Sequence, residues 1–264
     1  MTVASPLALD ETLDRCRQAW EALACPAIVL DPCADSAAVR GSRLGGRPAL
    51  IRGEAWPRDD EGHPMTFLLQ VDLKAMPKID LLPRDGLLQI FLGDDEEFGA
   101  GWHSPLDGFF LIRHIPEGTP LVAGQAPEGW TPDFSPVQGE AIGLEGRLVI
   151  MQPDAREGAL VRSRTPFAEA IAAFRKHTRL ADDLEELLDG SEEERPDLWL
   201  GGFTNFTRND PRAREGLEHL VPLLTCDSFG PVAWGDAGVA SFLVEPQAAR
   251  GGDFAGAAYS WDAC

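Results

Sequence analysis

Two apolar stretches lie close together in the first half of the chain and indicate its architecture. They are Phe67-Leu68-Leu69-Gln70-Val71-Asp72 and Gly86-Leu87-Leu88-Gln89-Ile90-Phe91-Leu92. Apolar residues alternate in the first stretch, with Phe67, Leu69 and Val71 on one face, which is the period of a β-strand. Gly86 opens the second stretch. The pattern therefore predicts two strands joined by a connection that contains prolines.

A similar pair of stretches occurs near the end of the chain. Leu223-Leu224-Thr225-Cys226-Asp227 is followed by Gly238-Val239-Ala240-Ser241-Phe242-Leu243-Val244. Each pair follows a Gly-Gly dipeptide: 27 positions separate Gly45 from Asp72, and 26 separate Gly201 from Asp227. The shared order predicts an internal duplication, with one pseudo-repeat over about 41–98 and the other over about 198–246.

The expected fold class is α+β. Two β-rich repeats form a large, mostly antiparallel sheet, and a few helices pack on it. An apolar stripe predicts an N-terminal helix over 10–24, Thr165-Pro166 begins a second helical pattern, and a third helix is expected over 180–188. The length suits one domain spanning 1–264.

The chain is strongly acidic. Its 43 Asp and Glu residues outnumber its 23 Lys and Arg residues, for a net charge of −20. This balance argues against nucleic acid and membrane partners, because both attract clustered basic residues. The simplest interpretation of the charge is a solvated acidic surface, and the alternative is a basic protein partner. No apolar run approaches the length of a membrane span and no targeting segment is recognised, so we expect a cytoplasmic protein.

The sequence contains no recognisable metal, cofactor or catalytic signature. Its five cysteines include no C-x-x-C pair, and its five histidines do not share a predicted element at ligand spacing. The nucleophile-elbow, phosphate-binding and zinc-protease motifs are also missing. We therefore expect free thiols, no metal and no cofactor. We assign no catalytic residue, and the sequence favours a protein that is not an enzyme.

Four groups of residues follow one another across most of the chain. They are Gly45-Gly46-x-Pro48 with Trp56-Pro57; Pro64 to Leu73 with Leu82-Pro83-x-x-Gly86; Leu200-Gly201-Gly202-Phe203 with Asn209-Asp210; and Leu223-Leu224-x-x-Asp227 with Trp234-Gly235-Asp236-Ala237-Gly238. In this order they resemble the YwqG-like family of bacterial proteins, a domain of unknown function. The resemblance covers about 41–244 and implies an internal duplication without an established activity.

The chain departs from that family at two places. Phe203-Thr204 stands where the family usually has Tyr-Pro, and Thr225 stands where it usually has glutamine. If that glutamine has a role shared by both halves, the second half of this chain lacks it.

Six polar and aromatic residues are candidates for a ligand site: Trp56, Gln70, Asp72, Asp227, Trp234 and Asp236. A structural interpretation is that aspartates at strand ends accept hydrogen bonds from turn N–H groups while the tryptophans pack over turns. A functional interpretation is that Asp72 and Asp227 approach each other between two tryptophans. Two such carboxylates could act as acid and base or hold a cation.

The leading functional hypothesis is a non-catalytic protein-binding domain with an acidic surface. The alternative is a hydrolase, or a protein that binds a small ligand or cation, with its site between the two repeats.

Overall fold

A ten-stranded antiparallel sheet dominates the fold in the computed structural model of the chain. The structure describes residues 6–34, 38–153, 195–207, 210–213 and 216–263, together with Ala168 and Ala170. The helices predicted over 165–188 fall almost entirely outside these residues, as does Asn209.

The described elements are two α-helices, one short 3₁₀ helix and twelve strands. The helices are α1 (Pro6–Glu21), the 3₁₀ turn Pro211–Ala213 and α2 (Pro246–Arg250). The strands are β1 (Cys25–Cys33), β2 (Arg43–Leu44), β3 (Ala49–Ile51), β4 (Thr66–Asp72), β5 (Leu87–Leu92), β6 (Phe110–Ile115), β7 (Leu121–Ala123), β8 (Ile142–Met151), β9 (Leu198–Gly201), β10 (Val221–Asp227), β11 (Val239–Val244) and β12 (Ala258–Asp262).

The strand order shows that distant parts of the chain meet in the middle of the sheet. The order is β12-β11-β10-β9-β1-β8-β2-β4-β5-β6, and β3 pairs with β7 in a separate two-stranded sheet. The longest ladder joins β1 to β8 and runs from Cys25 opposite Met151 to Cys33 opposite Gly143. Because these partners are more than 100 residues apart, the centre of the sheet depends on long-range pairing.

The apolar stretches Phe67 to Asp72 and Gly86 to Leu92 form the antiparallel pair β4–β5. A β-bulge interrupts their register between Phe67 and Leu69. Leu68, Leu69 and Val71 consequently join the main core, whereas Phe67 packs in a separate cluster with Met65 and Phe91. The prediction that Phe67 shares a face with Leu69 is therefore wrong, because a bulge shifts side chains relative to the period of two.

The sheet curls until its two edges nearly meet. The backbone N–H of Tyr259 on β12 donates to the carbonyl oxygen of Pro105, 2.8 Å away, in the loop before β6. The ring of Phe110 on β6 lies 5.5 Å from that of Tyr259, and the Trp261 Nε1 donates to the Glu97 carbonyl oxygen at 2.7 Å. The result is a nearly closed, barrel-like sheet around the largest apolar core.

The predicted α+β fold class with an internal duplication is wrong. The chain is mostly β, and α1 and α2 are the two α-helices whose bounds lie in the described residues, α2 being five residues long. The strands assigned to the two repeats also do not form two separate units. They are arms of one continuous sheet joined through β1 and β8, which lie outside both predicted repeats. Local periodicity reveals strands but not the long-range hydrogen bonds that join them.

The N-terminal helix α1 begins and ends earlier than the range predicted from sequence. It spans Pro6–Glu21 rather than 10–24. Cys16 and Trp20, two members of its predicted apolar stripe, are buried at 0% and 4% exposure. The extent of the domain, 1–264, stays a prediction.

Candidate functional site

A row of four polar side chains crosses four neighbouring strands. Arg43 on β2 pairs with Gln70 on β4, Gln70 with Gln89 on β5, and Gln89 with Arg113 on β6. Both glutamines are fully buried. Buried amides are costly unless they are hydrogen-bonded, so the partners of this row indicate its role.

Gln70 uses its whole side-chain amide on its own chain. Its Oε1 accepts from the Ala49 backbone N–H at 2.8 Å and from the Gln89 Nε2 at 2.7 Å. Its Nε2 donates to the carbonyl oxygens of Val39 and Gly41 at 2.9 and 2.8 Å. A carboxamide offers two donors and two acceptor lone pairs, so all four positions are occupied. Gln70 thus attaches β3 and the preceding segment to the main sheet.

Arg113 ends the polar row beside Glu54. Its Nε donates to the Gln89 Oε1 at 2.9 Å, and its Nη1 pairs with the Glu54 carboxylate. The guanidinium also lies 5.4 Å from the centre of the Phe91 ring. Its Nη2 is buried and has no hydrogen-bond partner among the described residues. The row therefore connects β4, β5 and β6 to the segment that carries β3.

Trp56 packs over the outer side of β5. Its Nε1 donates to the Met65 carbonyl oxygen at 2.8 Å, and its ring lies 6.2 Å from Phe91 and 5.8 Å from Trp130. The indole is half-buried in this aromatic cluster. Trp56 thereby links the segment before β4 to the face of the sheet.

Asp72 and Asp227 each serve the turn at the end of their own strand. The Lys74 N–H donates to the Asp72 Oδ1 at 3.1 Å, and the Ser228 N–H donates to the Asp227 Oδ1 at 2.7 Å. The Asp227 Oδ2 also accepts from the Asn205 Nδ2 at 3.4 Å. These are the contacts by which a short acidic side chain stabilises a turn.

The strands of these two aspartates lie far apart in the sheet. Five strand-to-strand steps separate β4 from β10. At about 4.8 Å per step, the path along the curved sheet is about 24 Å. The hydrogen bonds of Asp72 and Asp227 share no partner among those described. A shared cleft between them stays a prediction.

Trp234 and Asp236, the two remaining candidates, lie in one turn but differ in exposure to solvent. Trp234 is fully buried, whereas Asp236 is exposed. The Trp234 Nε1 donates to the Cys226 Sγ at 3.4 Å. Burial raises the pKa of the Cys226 thiol to about 12; the Trp234 hydrogen bond opposes that rise, and the charge of Asp227 adds to it. Trp234 and Cys226 thus form part of the core.

The long connection between β5 and β6 forms a recess that sequence reasoning did not single out. All of its lining residues belong to this one loop, residues 93–109, and its volume is about 350 Å³. Carboxylates and aromatic rings share its wall: Asp95, Glu96, Glu97, Asp107, Trp102 and Phe109. We call this feature the acidic recess.

Large apolar side chains are exposed at the acidic recess. Trp102 has 82% of its surface exposed and Phe109 has 37%, while the neighbouring Leu106 has 50% exposed. Exposed apolar residues that occur singly are common on protein surfaces. Here three such side chains fall within eight residues of one loop and two of them line a cavity, which favours an interaction surface.

The loop after β5 is held firmly against the core. The Asp95 Oδ1 accepts from the N–H groups of Glu97 and Gly99, both at 2.9 Å. Between them, Phe98 has a φ of +50°, a left-handed conformation unusual for a bulky residue. Its ring lies 5.5 Å from Trp234 and 5.3 Å from Trp261. Burial between aromatic rings stabilises this strained backbone next to Glu97.

Tyr259 lies beneath the same loop. It is fully buried, and its hydroxyl has no hydrogen-bond partner among the residues described. Burial raises the pKa of this hydroxyl well above its ordinary value, and the nearby charges of Cys226, Asp95 and Glu97 raise it further. Tyr259 therefore lies near the carboxylates of Asp95 and Glu97.

A metal centre is not visible in the described part of the chain, which contains no group of three His, Cys, Asp or Glu side chains placed to hold an ion. Among the same residues, no helix has the length and apolarity needed to cross a membrane.

Sequence signals for the acidic recess exist but are weak. The run Gly93-Asp94-Asp95-Glu96-Glu97 is typical of a charged end to a strand, and Trp102 lies in a glycine-containing loop. The useful signal is a tryptophan, Trp102, that lies among glycines and carboxylates rather than in an apolar pattern. Such a setting indicates an exposed ring, because buried side chains are mostly apolar and lie among other apolar residues.

By its fold the chain is a mostly β protein with a nearly closed, barrel-like sheet. It belongs to the family described as Domain of unknown function (DUF1963), whose family model matches residues 42–264. The prediction of a family of unknown function is thereby confirmed. The matched region begins after β1, although β1 lies between β8 and β9 in the sheet. A search of curated proteins found no match to the chain.

Proposed function

We propose that this chain is a non-catalytic binding domain that docks a basic protein partner at the acidic recess. The observation that carries the proposal is the exposed Trp102 indole beside a cavity with several carboxylates. Exposed aromatic residues supply large contact areas at interfaces, and carboxylates around them select partners of opposite charge.

The charge of the whole chain supports a basic partner. The net charge of −20 produces a negative potential, which increases the rate of encounter with positively charged proteins. The recess adds local complementarity to this long-range attraction. Charged residues at the rim of an interface mainly affect the association rate and its salt dependence. Because salt screens such charges, binding of the basic partner should weaken as salt is added.

The alternative of a hydrolase or of a small-ligand or cation site between the predicted repeats has no favouring observation among the described residues. Asp72 and Asp227 accept hydrogen bonds from their own turns, and the Gln70 amide is fully used by its own chain. We also keep the cytoplasmic location and the finer YwqG-like assignment as proposals, both supported by sequence patterns alone.

A direct test measures binding of a fluorescein-labelled peptide of alternating glycine and basic residues by fluorescence anisotropy. We expect saturable binding that weakens with salt, and no binding of the matched acidic peptide. The double variant Glu96→Gln/Glu97→Gln should weaken binding about fivefold, because exposed ion pairs each contribute about 0.2–1 kcal/mol.

The matched control removes two acidic charges at a distant exposed turn through Asp60→Asn/Glu61→Gln. It removes the same two negative charges from the net charge of −20 and should change affinity less than twofold if the recess is the docking site. Equal losses in both double variants, or no binding by the wild type, would overturn the proposal.

A further inference from the structure

We infer that the acidic recess recognises an arginine side chain of the partner in preference to lysine. This inference rests on the proposed function and specifies the chemical group that the recess accepts. Three features carry it: an exposed indole, unpaired carboxylates at the same cavity, and a rigid loop that holds both.

The indole of Trp102 is the first feature. With 82% of the surface of this residue exposed, most of the indole is open to a partner. A guanidinium is planar and weakly hydrated, so it stacks on an aromatic face and keeps its N–H groups free for hydrogen bonds. An ammonium is more strongly hydrated and cannot stack, so the same ring favours arginine.

The carboxylates are the second feature. Asp95 already accepts two hydrogen bonds from its own loop, and Asp94 accepts from the N–H groups of Asp133 and Phe134. The carboxylates of Glu96, Glu97 and Asp107 have no hydrogen bond or ion pair to the described residues. A guanidinium can donate to such carboxylates through two parallel N–H groups, which an ammonium cannot do.

The third feature is the size and rigidity of the cavity. A volume of about 350 Å³ lies at the lower end of the range for ligand pockets, so it suits one long side chain. The Phe98 ring, wedged between Trp234 and Trp261, fixes the loop from below. A site held in its binding conformation loses little entropy when it binds.

The test compares two peptides of identical length and charge, one with arginine and one with lysine at every basic position. Fluorescence anisotropy gives their dissociation constants for the wild type, for Trp102→Leu and for Ile150→Ala. Ile150 is a control because it is 65% exposed and lies on β8, outside the recess.

We expect the wild type and Ile150→Ala to bind the arginine peptide about fivefold tighter than the lysine peptide. Trp102→Leu should reduce that preference to less than twofold while the melting temperature stays unchanged, since Trp102 is mostly exposed.

Two failures of this test are distinguishable. If both peptides bind equally and binding still requires Glu96 and Glu97, the arginine inference is overturned and the proposed function stands. If neither peptide binds, the proposed function fails and the inference fails with it.

Discussion

The buried Gln70 amide should contribute strongly to stability, and the substitution Gln70→Leu tests this. Leucine has a similar size but cannot hydrogen-bond, so three backbone groups lose their partner: the Ala49 N–H and the carbonyl oxygens of Val39 and Gly41. A buried polar group left unpaired costs about 1–3 kcal/mol. Three such groups, some of which relax toward water, give an expected loss of about 3–5 kcal/mol.

The loss is measurable by urea denaturation followed by fluorescence. A typical domain is stable by about 5–15 kcal/mol, so the variant should still fold, with a clearly lower midpoint. Gln138→Leu is the matched control, because Gln138 is exposed. Such surface substitutions usually change stability by less than about 0.5 kcal/mol.

A double-mutant cycle isolates the contact between the two glutamines. The Gln89 Nε2 donates to the Gln70 Oε1 at 2.7 Å, so Gln70→Leu and Gln89→Leu should be coupled by about 1 kcal/mol. A loss of under 1 kcal/mol for Gln70→Leu, or one equal to that of Gln138→Leu, would refute the structural role of Gln70.

Four further outcomes are expected. Burial raises the pKa of Cys226 from 9.0 to about 12, so the folded protein keeps this proton between pH 9 and 12 while the unfolded chain loses it. Stability should therefore fall by about 1.4 kcal/mol per pH unit in that window, and Cys226→Ala should reduce the slope measured by urea denaturation. In native protein at pH 8, the exposed Cys33 should react with a thiol reagent while Cys226 reacts only after denaturation. Gly99→Ala should lower the melting temperature, because φ is +77° there and a Cβ would collide with the Phe109 carbonyl oxygen; an unchanged melting temperature would contradict the loop geometry. Asp210→Asn should cost about 3–5 kcal/mol in chemical denaturation, because its ion pair with Arg212 is nearly fully buried, and a loss under 1 kcal/mol would contradict that geometry.

The positions of most strands near the two quoted pairs could be predicted from sequence. Phe67 to Asp72 and Gly86 to Leu92 correspond closely to β4 and β5, and the later pair corresponds to β10 and β11. Alternating apolar residues and flanking glycines are local signals, so they can be recognised without tertiary information. The face of Phe67 could not be predicted, because a bulge changes side-chain direction without a clear sequence signal.

Less of the candidate site than of the strand positions could be predicted from the sequence. Gln70 was named only as a candidate ligand residue, and its four partners come from three segments that meet only in the folded chain. The acidic recess depends on how the single connection between β5 and β6 folds back on itself and on Phe98, whose left-handed backbone conformation is unexpected for its residue type. Reasoning from periodicity cannot detect either condition.

By itself, the sequence determined the acidic charge, the strand-forming stretches and the resemblance to a family of unknown function, since these depend on composition and local pattern. Only the tertiary structure decided that the chain is a single curled sheet with β1 and β8 at its centre, and that Trp102 lies exposed among carboxylates. The physical reason is that β-strands satisfy their backbone hydrogen bonds with partners distant in sequence, here more than 100 residues apart. The choice among such partners depends on the whole chain.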